Sequence, residues 1–292
     1  MSGVKELELN SPLKPKFSPT NLAVVVIILV VLGVSARETE FSLTTLFQAG
    51  NAEAVTRFVR GLWPPETNVK FLRTIFGLMV ETIEISLVGT ALAVLVAFPL
   101  SLLAVRQRGE EFSRERLGTA RWVLRWSLYY LARAFLNLFR GIPELVWALI
   151  FVTAVGLGPL PGVLALAVHS TGILGKLYAE MFESVDQRLV EMVRSTGATE
   201  MQVLFFARLP LSLPVFLSYT LFRWECNMRA ATVLGFVGAG GIGTQLMISM
   251  KLFRYNEVMT LILAILILIA LVDILGQFLR TRVLDAPGKC LR

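Results

Sequence analysis

The chain has 292 residues, of which 55% are hydrophobic and only 17% charged, with a net charge of +7 and a mean hydropathy of +0.68. A soluble domain carries about a quarter charged residues, so the composition excludes an ordinary soluble enzyme or binding module. The charges are also bunched and leave long neutral runs, which is the pattern of an all-α polytopic membrane protein.

Residues 1–20 are polar and Pro-rich, with Lys5, Lys14 and Lys16, and read as a solvated tail. Residues 21–36 form a short first span. The small-residue end "GVSA" also suits a cleaved signal peptide, the rival reading. Residues 37–75 mix charges with "LWPPE" and form a segment outside the membrane with room for an interfacial helix. A second span covers 78–105, including the charge-free stretch Ile85–Val105.

Residues 106–130 combine arginines with Trp122, Trp126, Tyr129 and Tyr130, a mixture suited to lipid headgroups and predicting an interfacial amphipathic helix. A third span starts near Leu131 and ends at the turn Gly156–Gly162. The fourth runs over 163–183, the fifth starts at Leu209 and the sixth covers 257–279. About six spans place both termini on one side.

Orientation follows from Lys and Arg near the spans. Residues 106–140 hold eight arginines (106, 108, 114, 116, 121, 125, 133 and 140) against three glutamates, whereas residues 37–74 are nearly balanced. Both termini are therefore expected in the cytoplasm. This bias accounts for the positive net charge without a nucleic-acid partner.

No hydrolase triad, zinc motif or P-loop appears in the sequence. Cys226 and Cys290 lie too far apart for a metal motif, and His169, within an apolar run, reads as a packed or hydrogen-bonded residue. No catalytic residue and no metal ligand is predicted.

Residues 186–214, "DQRLVEMVRSTGATEMQVLFFARLPLSLP", carry their own local grammar. Val190 and Val193 share one face of a short helix. Gly197 suits its left-handed stop. Thr199 and Gln202 then form a capping box that opens a second helix, with Met201, Leu204 and Phe205 leading to Leu209-Pro210.

Two further stretches stand out. "RWECNMR" (223–229) places Arg223, Glu225, Asn227 and Arg229 at membrane depth, where ionisable groups are expensive and by default mark a pathway. Arg223 or Arg229 suits an oxyanion, because the guanidinium fork donates two parallel hydrogen bonds; Glu225 or Glu144 would balance the charge. The alternative is an internal Arg–Glu pair that only holds helices together.

The other stretch is Gly238-Ala239-Gly240-Gly241-Ile242-Gly243, a G-x-G-x-x-G with Glu257 nineteen residues after Gly238. The pattern matches a dinucleotide-binding turn, but that turn needs a strand–helix–strand unit. An apolar helix follows instead, so the glycines are expected to permit close helix approach or bending.

Glu191, Gly197 and Leu209-Pro210 resemble the "EAA…G…LP" loop of binding-protein-dependent ABC importer permeases, with Met192 and Val193 in place of the two alanines and Arg194 following. "RGIPELVWALIF" (140–151) and "NMRAATVLGFVGAGGIG" (227–243) resemble signatures of the phosphonate ABC-transporter permease family.

The resemblance implies a type I ABC importer permease fold over 76–284, with residues 21–36 as an extra amino-terminal helix. The loop 186–210 would be the ATPase-coupling element and 37–75 would be periplasmic. Residues 1–20 and 285–292 would be cytoplasmic tails.

The resemblance also implies a homodimer in the bacterial inner membrane, surrounded by lipid. Two copies of an ABC ATPase carry the ATP and Mg, and a periplasmic substrate-binding protein delivers a phosphonate or a related phosphorus oxyanion such as phosphite. No cofactor is expected on this chain. Arg223, Glu225, Asn227, Arg229 and Glu144 are the candidate path residues, and Gly238, Gly240, Gly241 and Gly243 the candidate gate or dimer-axis residues. The competing expectation is a permease for methionine or another amino acid.

Overall fold

A computed structural model describes residues 19–39, 49–106 and 118–285. Arg108, Arg114 and Arg116, the polar tail before residue 19 and the end after residue 285 lie outside the described residues, together with the expectations made for them. The chain divides into two units, up to Val59 and from Arg60 onward. The first contains α1 (Pro19–Glu38) and most of α2 (Ala49–Gly61). Residues 21–38 of α1 are long and apolar enough to cross a bilayer.

The second unit follows with α3 (Val69–Ala104), α4 (Thr119–Gly141), α5 (Glu144–Val155), α6 (Pro159–Ser184) and α7 (Gln187–Arg194). After these come α8 (Glu200–Val203), α9 (Leu209–Leu234), α10 (Gly241–Lys251) and α11 (Tyr255–Asp285). A π-helical turn, Leu204–Arg208, joins α8 to α9, and a 3₁₀ turn, Gly235–Val237, closes α9. Besides α1, the spanning candidates are α3, α6, the continuous run 200–237 and α11. The bent pair α4–α5 is a further one if counted as a single span.

The sequence and the structure differ in the bounds of several spans, and two of the differences have a local cause. The second begins at Val69 rather than near residue 78, because Asn68 caps it: its side chain accepts the Lys70 amide at 3.0 Å. The third is not one rod starting near Leu131. Helix α4 already contains Trp122, Trp126, Tyr129 and Tyr130, so the expected interfacial helix and the start of the span are one element. It stops at Gly141, and α5 leaves at 90°. Pro143 excludes the helical region for Ile142, which takes the extended values φ −91°, ψ 125°.

The bend frees carbonyl groups at membrane depth, where each needs a partner. His169 Nδ1 lies 3.0 Å from the Ile142 carbonyl, and Trp147 Nε1 donates to the Phe139 carbonyl at 3.2 Å. This is the work of the lone histidine within the fold, in line with its packed, hydrogen-bonded reading.

Helices α3 and α6 run side by side in the same direction. Thr171 of α6 donates to the Ala93 carbonyl at 3.4 Å, and the Arg106 amide just beyond α3 donates to Glu183 Oε1 at 2.7 Å. Helix α9 returns antiparallel to α6, with Phe216 seated between Tyr178 and Phe182 at ring separations of 4.6 and 4.8 Å. Helix α11 in turn packs along α9. Outside this core Leu95, Phe222, Leu266 and Ile274 stay exposed, a surface as apolar as lipid tails.

Candidate functional site

Three features hold the predicted site residues. The first is the loop between α6 and α9. Asp186 caps α7 by accepting the Arg188 amide at 2.9 Å, and Gly197 turns the chain at φ +82°. Thr199 and Gln202 form the full capping box of α8: the Thr199 amide donates to Gln202 Oε1 at 2.8 Å, and the Gln202 amide donates back to Thr199 Oγ1 at 3.5 Å. Arg194 ties the two short helices by contacting Glu200 at 2.8 Å.

Val190, Val203 and Ala207 are buried against Val193, which fixes the inner face of this element. Its outer face presents Glu191, Met192, Met201, Phe205, Phe206 and Pro210, with Leu209 half-buried at the entry to α9. An apolar, polarisable surface beside a carboxylate is suited to docking another protein.

The second feature is a polar layer through the bundle centre. Asn227 is wholly buried: its Oδ1 accepts from Ser170 at 2.9 Å, and its Nδ2 donates to Thr90 Oγ1 at 2.8 Å. Arg223 Nε donates to Ser170 Oγ at 3.0 Å. The Arg223 fork is thereby oriented, and no hydrogen bond among the described residues occupies its terminal NH₂ groups. Glu144 does not pair with Arg223 directly; its Oε2 lies 3.0 Å from His169 Nε2.

The remaining charges of "RWECNMR" reach across to α11. Glu225, 3% exposed, contacts Arg280 at 3.0 Å, and Arg229 meets Asp273 at 3.3 Å. Thus neither Glu225 nor Glu144 serves as the direct carboxylate partner of Arg223 or Arg229. The pairs join helices distant in sequence, and sequence spacing cannot show such partners. Thr82, Ser86 and Thr90 were not singled out from the sequence, although their four-residue spacing on α3 makes one polar stripe that could have found them.

The third feature is the glycine turn. Gly238, Gly240 and Gly241 have φ of +85°, +82° and +71°, values that L side chains rarely adopt. A Cβ on Gly240 would meet Glu81 Oε1 at 2.7 Å and Pro159 Cα at 3.0 Å, and one on Gly243 would enter the Thr232 carbonyl. The first amides of α10 are satisfied from α3: Gly241 N donates to Glu81 Oε1 at 3.2 Å and Ile242 N to Thr82 Oγ1 at 3.0 Å. The chain entering this turn is helix α9 and a 3₁₀ turn, not a strand, which removes the dinucleotide reading. Glu257 is engaged by Ser249 at 2.7 Å and Arg254 at 3.2 Å.

The two long signature strings meet in space. Gly158 N donates to the Gly238 carbonyl at 3.0 Å, and Val237 and Ala239 pack in one cluster with Trp147, Phe151 and Val152 of α5. A bent helix pair buttressed by a left-handed glycine turn is thus a single assembly. Residues 118–285 match the family described as the binding-protein-dependent transport system inner membrane component. The chain belongs to this family.

The permease is 44% identical over 202 residues to the phosphite transport system permease protein PtxC of Stutzerimonas stutzeri, spanning 69% of this chain and 68% of that one. It is 35% identical over 228 residues to the putative phosphite transport system permease protein HtxC of the same organism, spanning 78% and 75%. The phosphate-import permease protein PhnE of Mycolicibacterium smegmatis is 36% identical over 208 residues, which are 71% of this chain and 36% of that longer one.

Among solved structures, an inward-facing form of the MetNI methionine ABC transporter aligns with a TM-score of 0.60 at 21% identity, covering 74% of this chain and 99% of that one. At that identity the likeness establishes the fold, that of an ABC importer permease, and leaves the transported solute open. The permease is accordingly a multi-pass inner-membrane component of a binding-protein-dependent transport system.

Proposed function

We propose that the permease forms the translocation path of an ATP-driven importer for phosphite, a phosphonate or a related phosphorus oxyanion. The observation that carries this reading is the 44% identity to the phosphite permease of Stutzerimonas stutzeri. The geometry supports it: Arg223, held by Ser170 beside a buried Asn227, offers its guanidinium fork at mid-bundle.

Two copies of the permease enclose the path in this reading. Two ATPase subunits carry ATP and Mg and dock on the outer face of residues 186–210, where Glu191, Met192, Met201 and Phe206 are exposed. A periplasmic binding protein selects the solute and delivers it to the opposite side. Both termini then lie in the cytoplasm and residues 37–75 in the periplasm. The glycine turn, wedged between Glu81 and Pro159, acts as the outward gate.

The test is ATP-dependent uptake of labelled methylphosphonate by proteoliposomes carrying the permease with its ATPase and binding protein, with unlabelled phosphite and methionine as competitors. Inhibition by phosphite or phosphonate supports the reading. Inhibition by methionine, or uptake without ATP, overturns it.

A further inference from the structure

A second cluster of cations lies two helical turns from the central layer, and neither the loop nor the path residues include it. Helices α4 and α6 meet closely at Gly172, where a Cβ would strike the Arg140 backbone nitrogen and the Leu136 carbonyl. Beside this contact a cavity of about 210 Å³ opens, lined by Arg133, Asn137 and Arg140 of α4, Lys176 and Ala179 of α6, and Ala104 of α3.

The register explains the convergence. Arg133 and Arg140 are seven residues apart on α4, and His169, Lys176 and Glu183 follow the same spacing on α6. Seven residues are two turns, about 10 Å along the axis, so each set forms one stripe on its helix. The α6 stripe therefore runs from the central layer at His169 down to the cavity at Lys176.

The charges around the cavity do not cancel. Arg133 is taken by Glu183 at 2.6 Å and by the Ala104 carbonyl at 3.1 Å. Lys176 meets Glu180 only loosely, at 3.5 Å, with both side chains well exposed. Arg140 donates its Nε to Asn137 Oδ1 at 3.2 Å and has no carboxylate partner among the described residues.

What remains is a guanidinium fork, an ammonium group and the Asn137 amide NH₂, all donors, around one hollow. That set matches a tetrahedral oxyanion. Cations on a membrane helix are expensive unless water or an anion faces them.

We propose that this cavity is a second oxyanion subsite, where a tetrahedral phosphorus oxyanion rests between the Arg223 layer and the end of the bundle at which α3 terminates. As a station for the transported ion, it rests on the substrate class proposed above. An anionic lipid headgroup carries the same chemistry, and the Trp122–Tyr130 aromatic cluster on the same helix is a headgroup-type surface.

Equilibrium binding of labelled methylphosphonate to the full-length permease in phosphatidylcholine nanodiscs tests the site. Arg140→Gln and Lys176→Gln should each weaken the cavity's share of binding at least about tenfold, the worth of a charge-assisted hydrogen bond. Arg140→Lys should fall between, because it keeps the charge and loses the fork. Arg223→Gln should leave the cavity's share of binding in place, and Arg254→Gln, at an exposed residue outside the cavity's lining, should bind as wild type.

No saturable binding by the wild type, or unchanged binding in both cavity variants with native unfolding temperatures, overturns the proposal. In phosphatidylglycerol nanodiscs, loss of methylphosphonate binding assigns the site to a lipid headgroup, and unchanged binding assigns it to the soluble ion. Either result retains an oxyanion site. ATP-driven uptake by the wild type is scored separately. Its absence with cavity binding intact overturns the substrate reading and not the subsite.

Discussion

Gly276 of α11 passes so close to Glu225 of α9 that a methyl group on its Cα would occupy the place of the carboxylate oxygen Oε1. The glycine thus holds open the slot in which Glu225, almost fully buried, reaches Arg280 at 3.0 Å. Gly276→Ala should displace the carboxylate and destabilise the bundle by about 1–3 kcal/mol, the usual result of overpacking. Thermal unfolding of the purified permease in detergent measures this. The double variant Gly276→Ala/Glu225→Ala should recover part of the loss, since the two positions compete for one space. Strict additivity of the two single changes would show that they do not.

Asn227 bridges α6 and α3 from within α9, and both its partners are hydroxyls. Asn227→Leu removes the acceptor of the Ser170 hydroxyl and the donor to Thr90 Oγ1, leaving each with one bond, from Arg223 and to the Ser86 carbonyl respectively, and should cost about 1–3 kcal/mol. It also releases the Ser170 hydroxyl that orients Arg223, so uptake should fall more steeply than stability. A variant with a wild-type unfolding midpoint and undiminished uptake would remove the layer from both roles.

Arg229 and Asp273 are each about half exposed, at 49% and 46%, and their 3.3 Å pair contributes less than about 1 kcal/mol. Arg229→Gln should therefore assemble normally. If Arg229 lines the path, uptake drops in Arg229→Gln and partly survives in Arg229→Lys. Failure to assemble, with no folded protein recovered, would mark the pair as a structural tie instead.

The outer face of residues 186–210 is predicted to transmit ATP hydrolysis. Glu191→Ala should leave insertion intact and reduce both ATPase docking and uptake. Thr199→Ala removes the capping box, at about 1 kcal/mol, and should reproduce a milder form of the defect. Co-purification of the ATPase with each variant, together with its ATPase rate, reads the effect. Full coupling in a variant with residues 190–198 scrambled would exclude the assignment.

Gly240→Leu requires a bulky side chain at φ +82°, costing about 1–2 kcal/mol in backbone strain, and drives it into Glu81 and Pro159. The chain should still enter the membrane, because α9 and α11 flank the turn independently, but uptake should cease. Normal uptake by this variant would show that the turn does not move during transport.

Composition and hydropathy by themselves determined the class, since uncharged runs of about twenty residues, longer than barrel strands, satisfy their backbone polar groups in lipid as helices. Local chemistry determined the loop as well. Gly197 and the pair Thr199–Gln202 act within a few residues of one another, and the structure places them as their spacing requires. Only tertiary structure decided the partners of the membrane charges, because an ion pair depends on where helices cross. Glu225 found Arg280 and Arg229 found Asp273 on α11, while Glu144 found His169 through the bend at Pro143. The bend itself was half legible: Pro143 announces a break, but its 90° angle depends on His169 and Trp147, which capture the carbonyls it frees.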